Sequence, residues 1–138
     1  MILVDTNVVS ETMRHLPEPR VIDWLDAQAA ETLYLSTVSL AELLFGVTVL
    51  PEGCRRIALG LALVEKAALL FDERMLPFDV EAAKAYATVM SRCQRAGRRI
   101  GTADGQIAAI ATVHGFAVAT RDAALFEAAG TKVINPWA

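Results

Sequence analysis

The chain has 138 residues, a formal net charge of −3, 54% hydrophobic and 21% charged residues. That is the make-up of one compact soluble domain over 1–138, and not of a disordered chain, which pairs low hydrophobicity with high net charge. No apolar run approaches the ~20 residues that cross a bilayer, and a net negative chain does not hold nucleic acid through bulk positive charge.

Ile2-Leu3-Val4 is a short apolar run ended by Asp5-Thr6-Asn7, as expected of a buried parallel strand feeding a loop. An acid so early leaves no room for a signal peptide. Pro19 opens a predicted helix with Val21, Ile22, Trp24 and Leu25 on its apolar side. Leu33-Tyr34-Leu35 reads as a second strand. Ser36 or Thr37 then caps a helix carrying Leu40, Leu43, Leu44 and Val47. Pro51 begins a long helical pattern through about Phe71, with Ile57, Leu61, Val64, Ala68 and Leu69 as its apolar stripe.

Met75 to Phe78 is a third strand shortened by Pro77, and Asp79 caps a helix from Val80 to about Ala96 that Gly97 closes. Thr102 to His114 is a further helix, stopped by Gly115. Phe116 to Ala119 forms a fourth strand, Ala123 to Ala129 a short helix, and Lys132 to Ile134 a fifth strand. Short, wholly apolar strands alternating with helices imply an α/β fold, a three-layer α/β/α domain around a parallel sheet of about five strands. Cys54 and Cys93 stand 39 positions apart with no CxxC, so neither a zinc site nor a disulfide framework is expected. The compartment implied is the reducing cytoplasm.

In parallel sheets, sites form beyond the carboxyl ends of the strands, where strand order reverses. Asp5 follows the first strand and Asp122 follows the fourth after Thr120 and Arg121. Asp104 stands in the first turn of its helix, at the rim of the face marked by Ile107, Ala108 and Ala111. Glu42 lies in a mostly apolar helix start and is expected to be buried. Each acid also has a plain structural role open to it. Asp5, Asp104 and Asp122 suit helix caps, and Glu42 suits an ion pair with an arginine. Carboxylates gathered in one cleft repel unless a cation sits among them, and an oxygen-only set suits Mg²⁺ or Mn²⁺. His15 and His114 read as surface residues, so zinc is not expected. Of the 13 basic residues 10 are arginine, and Arg92, Arg95, Arg98 and Arg99 fall within eight positions. That strip is either a solvated helix face or a set of RNA phosphate contacts.

Ile2-Leu3-Val4-Asp5-Thr6-Asn7, Ser39-Leu40-Ala41-Glu42-Leu43, Ala103-Asp104-Gly105-Gln106-Ile107-Ala108-Ala109 and Ala119-Thr120-Arg121-Asp122, in that order, resemble the PIN-domain ribonucleases. The resemblance is nearest to the VapC-type toxins of toxin–antitoxin pairs, especially the FitB-like branch, whose chains often end like Val133-Ile134-Asn135-Pro136-Trp137. It implies an acidic quartet of Asp5, Glu42, Asp104 and Asp122 that binds Mg²⁺ or Mn²⁺ and cuts RNA endonucleolytically. Thr6, Asn7 and Thr120 fall on its supporting polar positions. It also implies a homodimer and a cognate antitoxin, a short DNA-binding protein, with a larger toxin–antitoxin assembly possible in principle. One departure stands out: many relatives carry an acid before the phenylalanine matching Phe126, where this chain has Leu125.

Two rival readings run against that one. A phosphatase-like strand followed by Asp-x-Asp fails because the third position is Asn7. A PIN-like module that binds RNA or a partner without cutting is expected to lack one of the four acids, and all four are present.

Overall fold

Each apolar run that ends on a polar residue becomes a strand of one sheet. In the computed structural model, which describes residues 1–138, the strands are β1 (Ile2–Val4), β2 (Leu33–Ser36), β3 (Met75–Leu76), β4 (Ala117–Ala119) and β5 (Val133–Ile134). They lie in the order β3-β2-β1-β4-β5, and every pairing is parallel. The helices are α1 (Thr6–Thr12), α2 (Pro19–Ala27), α3 (Thr37–Thr48), α4 (Cys54–Phe71), α5 (Val80–Arg95), α6 (Thr102–His114) and α7 (Ala123–Ala128). The five-stranded parallel sheet between helical layers is the expected one.

Alternation along the strands divides the core in two. Val4, Leu35 and Ala119 pack with Val8 and Val9 of α1, Val21 of α2, and Leu63 and Phe71 of α4. Leu3 and Val118 pack on the other face with Val89 and Cys93 of α5, Ile107 and Ile110 of α6, and Phe126 of α7. Both faces are covered, which is why these strands read as unbroken apolar runs. Gly105 of α6 has room for no side chain: a Cβ there would stand 2.6 Å from Met90 Sδ and 3.0 Å from Tyr86 Cε2 of α5. This close approach seats the start of α6 against α5.

Two local expectations are corrected. The polar residues after β1 do not form a loop, because Asp5 caps a helix that starts at once with Thr6 and buries Val8 and Val9. In α4 the buried stripe is Leu63, Ala67 and Phe71. Ile57, Leu61, Val64 and Leu69 are each more than half exposed, and Ala68 is exposed as well. The helix has apolar residues on two sides at similar spacing, so periodicity alone does not tell which side meets the sheet. No helix is long and apolar enough to cross a membrane.

Candidate active site

The site begins where β1 stops. Asp5 is the N-cap of α1, with Oδ1 accepting from the Thr6 amide at 2.7 Å. Its own amide donates to the Ala119 carbonyl at 2.9 Å, which ties the end of β1 to β4 and sets Thr120 beside it. The Thr120 hydroxyl donates to Asp5 Oδ2 at 2.7 Å and accepts from the Asp122 amide at 3.0 Å and from Asn7 Nδ2 at 3.3 Å. Asn7 also donates to Asp122 Oδ2 at 3.2 Å and accepts from the Arg121 amide at 3.4 Å. The side chain of Asn7 thus clamps the loop after β4 to the first turn of α1.

On the other flank the Thr6 hydroxyl donates to Glu42 Oε1 at 2.7 Å. Ser36 ends β2 and caps α3 by accepting from the Ser39 amide at 2.9 Å. That start turns Ser39 and Leu43 inward. Glu42 lies about 100° around the helix from Leu43, and it is exposed. Both expectations for Glu42 as a structural residue are therefore corrected. It is not buried, and none of the four ion pairs involves it.

Asp104 stands in the first turn of α6, half-buried, in a helix whose N-cap is Gly101. Asp122 occupies the N-cap position of α7 but makes no capping bond, and its oxygen goes to Asn7 instead. Of the three aspartates, only Asp5 is engaged as a helix cap. Burial pushes the Asp5 carboxyl up to about 6 against the pull of its Thr120 and Thr6 hydrogen bonds, with the charges of Asp104 and Glu42 adding to the rise. Burial also raises Asp104, followed by the charges of Glu42 and Asp122. The four carboxylates therefore form one electrostatic cluster.

No three acidic side chains already close around a common point as a finished cage. Mg²⁺ needs only one or two direct carboxylates and keeps several waters, so this all-oxygen donor set fits a hard dication. Both histidines are exposed, and His114 lies against the Phe116 ring with centroids 5.3 Å apart.

Two clefts border the cluster. One, of about 390 Å³, includes Thr6, Glu42, Met13, Leu43 and Leu63 on the β2 side. The other, of about 430 Å³, includes Arg98, Arg121 and Asp122 on the β4 side. The arginine strip does not stay together. Arg92 and Arg95 line a separate cleft with Ala87, Thr88 and Ser91, while Arg98 joins Asp122 and Arg99 is exposed outside both. Sequence reasoning did not single out Arg121 or its neighbour Trp137, because their contact exists only in three dimensions.

The PIN-domain family profile matches residues 2–131. A VapC ribonuclease, Y4jK, of Sinorhizobium fredii is 48% identical over 99% of this chain and 98% of its own length. Toxin FitB of Neisseria gonorrhoeae is 45% identical over 99% of each. A solved structure of FitAB bound to an IR36 DNA fragment superposes with a TM-score of 0.94 at 43% identity, covering 100% of this chain and 96% of that one. Fold, motif order and full-length similarity agree: the chain belongs to the PIN-domain family, among the VapC and FitB toxins.

Proposed function

We propose that this chain is a metal-dependent endoribonuclease and the toxin of a type II toxin–antitoxin pair, hydrolysing RNA phosphodiester bonds at its acidic cluster. The observation that carries the reading is the set of Asp5, Glu42 and Asp122 joined through Thr6, Asn7 and Thr120 at the ends of β1 and β4, with the Asp104 charge beside them at the start of α6. Such a cluster is stabilised when a cation enters it. Bound Mg²⁺ or Mn²⁺ supplies positive charge against the charge building on the attacked phosphate and acidifies a water at neutral pH.

The chain's own residues divide the remaining work. Asp5, fixed by Thr6 and Thr120, and Asp104, placed at the start of α6, would hold the ion. Glu42, exposed and steadied by Thr6, orients the attacking water and accepts its proton. As the water oxygen bonds to phosphorus, the bond to the leaving ribose oxygen breaks, and that oxygen takes a proton from solvent to leave as a hydroxyl. Asp122, held by Asn7, would contribute to a second cation position. A non-cleaving module would have no use for this connected set of acids. Phosphatase-like chemistry has no second aspartate, since Asn7 spends its amide on Thr120 and Asp122.

The FitAB structure contains DNA, whereas this chain has a net charge of −3. A separate antitoxin that reads DNA accounts for both facts. Such an antitoxin inhibits by placing an arginine fork among the carboxylates, with an apolar helix in the cleft beside Glu42. The protein is proposed to act in the cytoplasm as a homodimer.

Purified protein should cut RNA with Mn²⁺ or Mg²⁺ and stop in EDTA. Asp104→Asn should slow cutting at least ~10²-fold, the usual cost of losing an electrostatic anchor of the transition state. Full activity of Asp104→Asn would overturn the reading.

A further inference from the structure

The β4-side cleft carries features that the acid cluster does not explain. It is lined by Arg98, Arg121, Asp122, Ala123, Ala124 and Leu125. Both arginines are exposed, and neither takes part in any of the four ion pairs. The cleft lining therefore carries two cations outside any ion pair against the single charge of Asp122, with Glu18 a further carboxylate that feels Arg121. Leu125, the residue standing where the resemblance expects an acid, adds no charge here.

The backbone fixes where each arginine leaves the chain. Helix α5 ends in a paired turn in which the Gly97 amide donates to the Gln94 carbonyl at 3.1 Å and the Arg98 amide to the Cys93 carbonyl at 2.9 Å. Gly97 takes φ +68°, the left-handed conformation this ending requires. Arg121 is anchored by its amide to Asn7, and its guanidinium carbon lies 4.3 Å from the centre of the Trp137 ring. Trp137 is itself held. Its amide donates to Asn135 Oδ1 at 2.9 Å, Pro136 is buried, and the half-buried ring packs against the core that contains Val4, Val8 and Ala119. The indole N–H is buried with no acceptor, so packing rather than hydrogen bonding places the ring.

We infer that the cleft of Arg98 and Arg121 is the phosphate-binding track for the RNA strand next to the scissile bond, with Trp137 the positioning residue that pre-sets Arg121. Stacking leaves a guanidinium's N–H fork free for phosphate while removing much of its rotational freedom. The C-terminal Asn135-Pro136-Trp137 thereby gains a purpose: it is the platform under a substrate-binding arginine. The inference rests on the ribonuclease reading, and it separates Arg98 and Arg121 from Arg92 and Arg95.

The experiment measures binding of a short single-stranded RNA of mixed sequence to Asp104→Asn protein in EDTA across a salt series. Each phosphate contact to a single strand contributes a slope of about −0.7 in log affinity against log salt. Arg98→Ala and Arg121→Ala should each make the slope shallower by about that amount, and Arg121→Lys should restore it. Lys84→Ala, which removes a lysine paired with Glu81, should leave it unchanged. Trp137→Leu should weaken binding severalfold, Trp137→Phe much less, and neither should add to the loss in Arg121→Ala. In the cutting protein with Mn²⁺, Arg121→Ala should raise KM about tenfold with kcat nearly constant, the mark of uniform binding.

An unchanged slope in both alanine variants, with the unaltered chain still cutting RNA, overturns the track and leaves the nuclease reading in place. Arginine-dependent binding with no cutting by the unaltered chain supports the track and removes the nuclease. A Trp137→Leu loss that is the same with and without Arg121 overturns the role given to Trp137.

Discussion

Thr120 gives its hydroxyl proton to Asp5 Oδ2 at 2.7 Å, although the two residues are 115 positions apart in the chain. The bond stabilises the ionised form of a carboxylate that burial nonetheless raises to about 6. Thr120→Val keeps the shape but removes the donor to Asp5 together with the acceptor for Asn7 and the Asp122 amide, so it should push the Asp5 pKa higher still and add a loss that does not vary with pH. Urea unfolding of metal-free protein near pH 8 should show a loss of about 1–3 kcal/mol. The loss should shrink near pH 5, where Asp5 is largely protonated, and Thr120→Ser should recover most of it. If none of the loss varies with pH, only the bonds that Thr120 accepts matter and the bond to Asp5 does not serve the charge.

The sign of the pH dependence follows from the same shift. The folded Asp5 pKa, about 6, lies above the ordinary 3.8, so between these values the folded state binds a proton that the unfolded state lacks. This term favours folding below about pH 4 and fades as pH rises to about 6, by on the order of 3 kcal/mol. Asp104 acts in the same direction. In EDTA the stability of Asp5→Asn relative to wild type should therefore climb through that window. A flat difference across it would mean that Asp5 is not raised.

Asp104 and Asp5 are not equivalent targets for neutralisation. The Thr120 oxygen already accepts two hydrogen bonds and directs its proton at Asp5, so an amide nitrogen in Asp5→Asn has no lone pair to meet. Asp104 caps no helix and stands among like charges. Asp104→Asn should raise the metal-free Tm by about 3 °C, the scale of a gain near 1 kcal/mol. It should also abolish the stabilisation by Mn²⁺, which in wild type reaches about 2.7 kcal/mol at a hundredfold excess over Kd. Calorimetric scans with and without Mn²⁺ measure both.

The unused side of α4 has consequences for association. Ile57, Leu61 and Val64 line a cleft with Leu44 and Val47 of α3, and Phe45, also on α3, is 67% exposed. A contiguous apolar face of this kind marks an interface. Leu61→Asp should leave the monomer's stability within about 0.5 kcal/mol while shifting the sedimentation profile from dimer to monomer. A profile that is dimeric for both proteins would move the proposed homodimer face away from α4, and a monomeric wild type would remove it.

The strands were legible because burial on both faces leaves no alternation to misread: Leu3 and Val4 are both fully buried, each against a different helical layer. The order of the three aspartates along the chain was legible for a related reason, since Asp5 and Asp122 follow strands and Asp104 opens a helix. Their environments were not. Glu42 looked buried because its neighbours in sequence are apolar, yet the Ser39–Leu43 spacing alone sets the inward face. The stripe of α4 was misassigned because two apolar sides compete, and only the sheet's position decides between them. The stack of Arg121 on Trp137 left no trace in sequence, because it depends on where a loop and the C-terminal tail meet.

The sheet order has a consequence in time as well as space. β1 is made first but lies between β2 and β4, and Asp5 gains its Thr120 and Ala119 partners only when β4 pairs with it. Asp104 and Asp122 also come late in the chain. A ribosome making this protein therefore carries no complete nuclease site until nearly all of it has been synthesised. The interleaving of the first and fourth strands works as a delay: the site cannot close until the last third of the chain has been made.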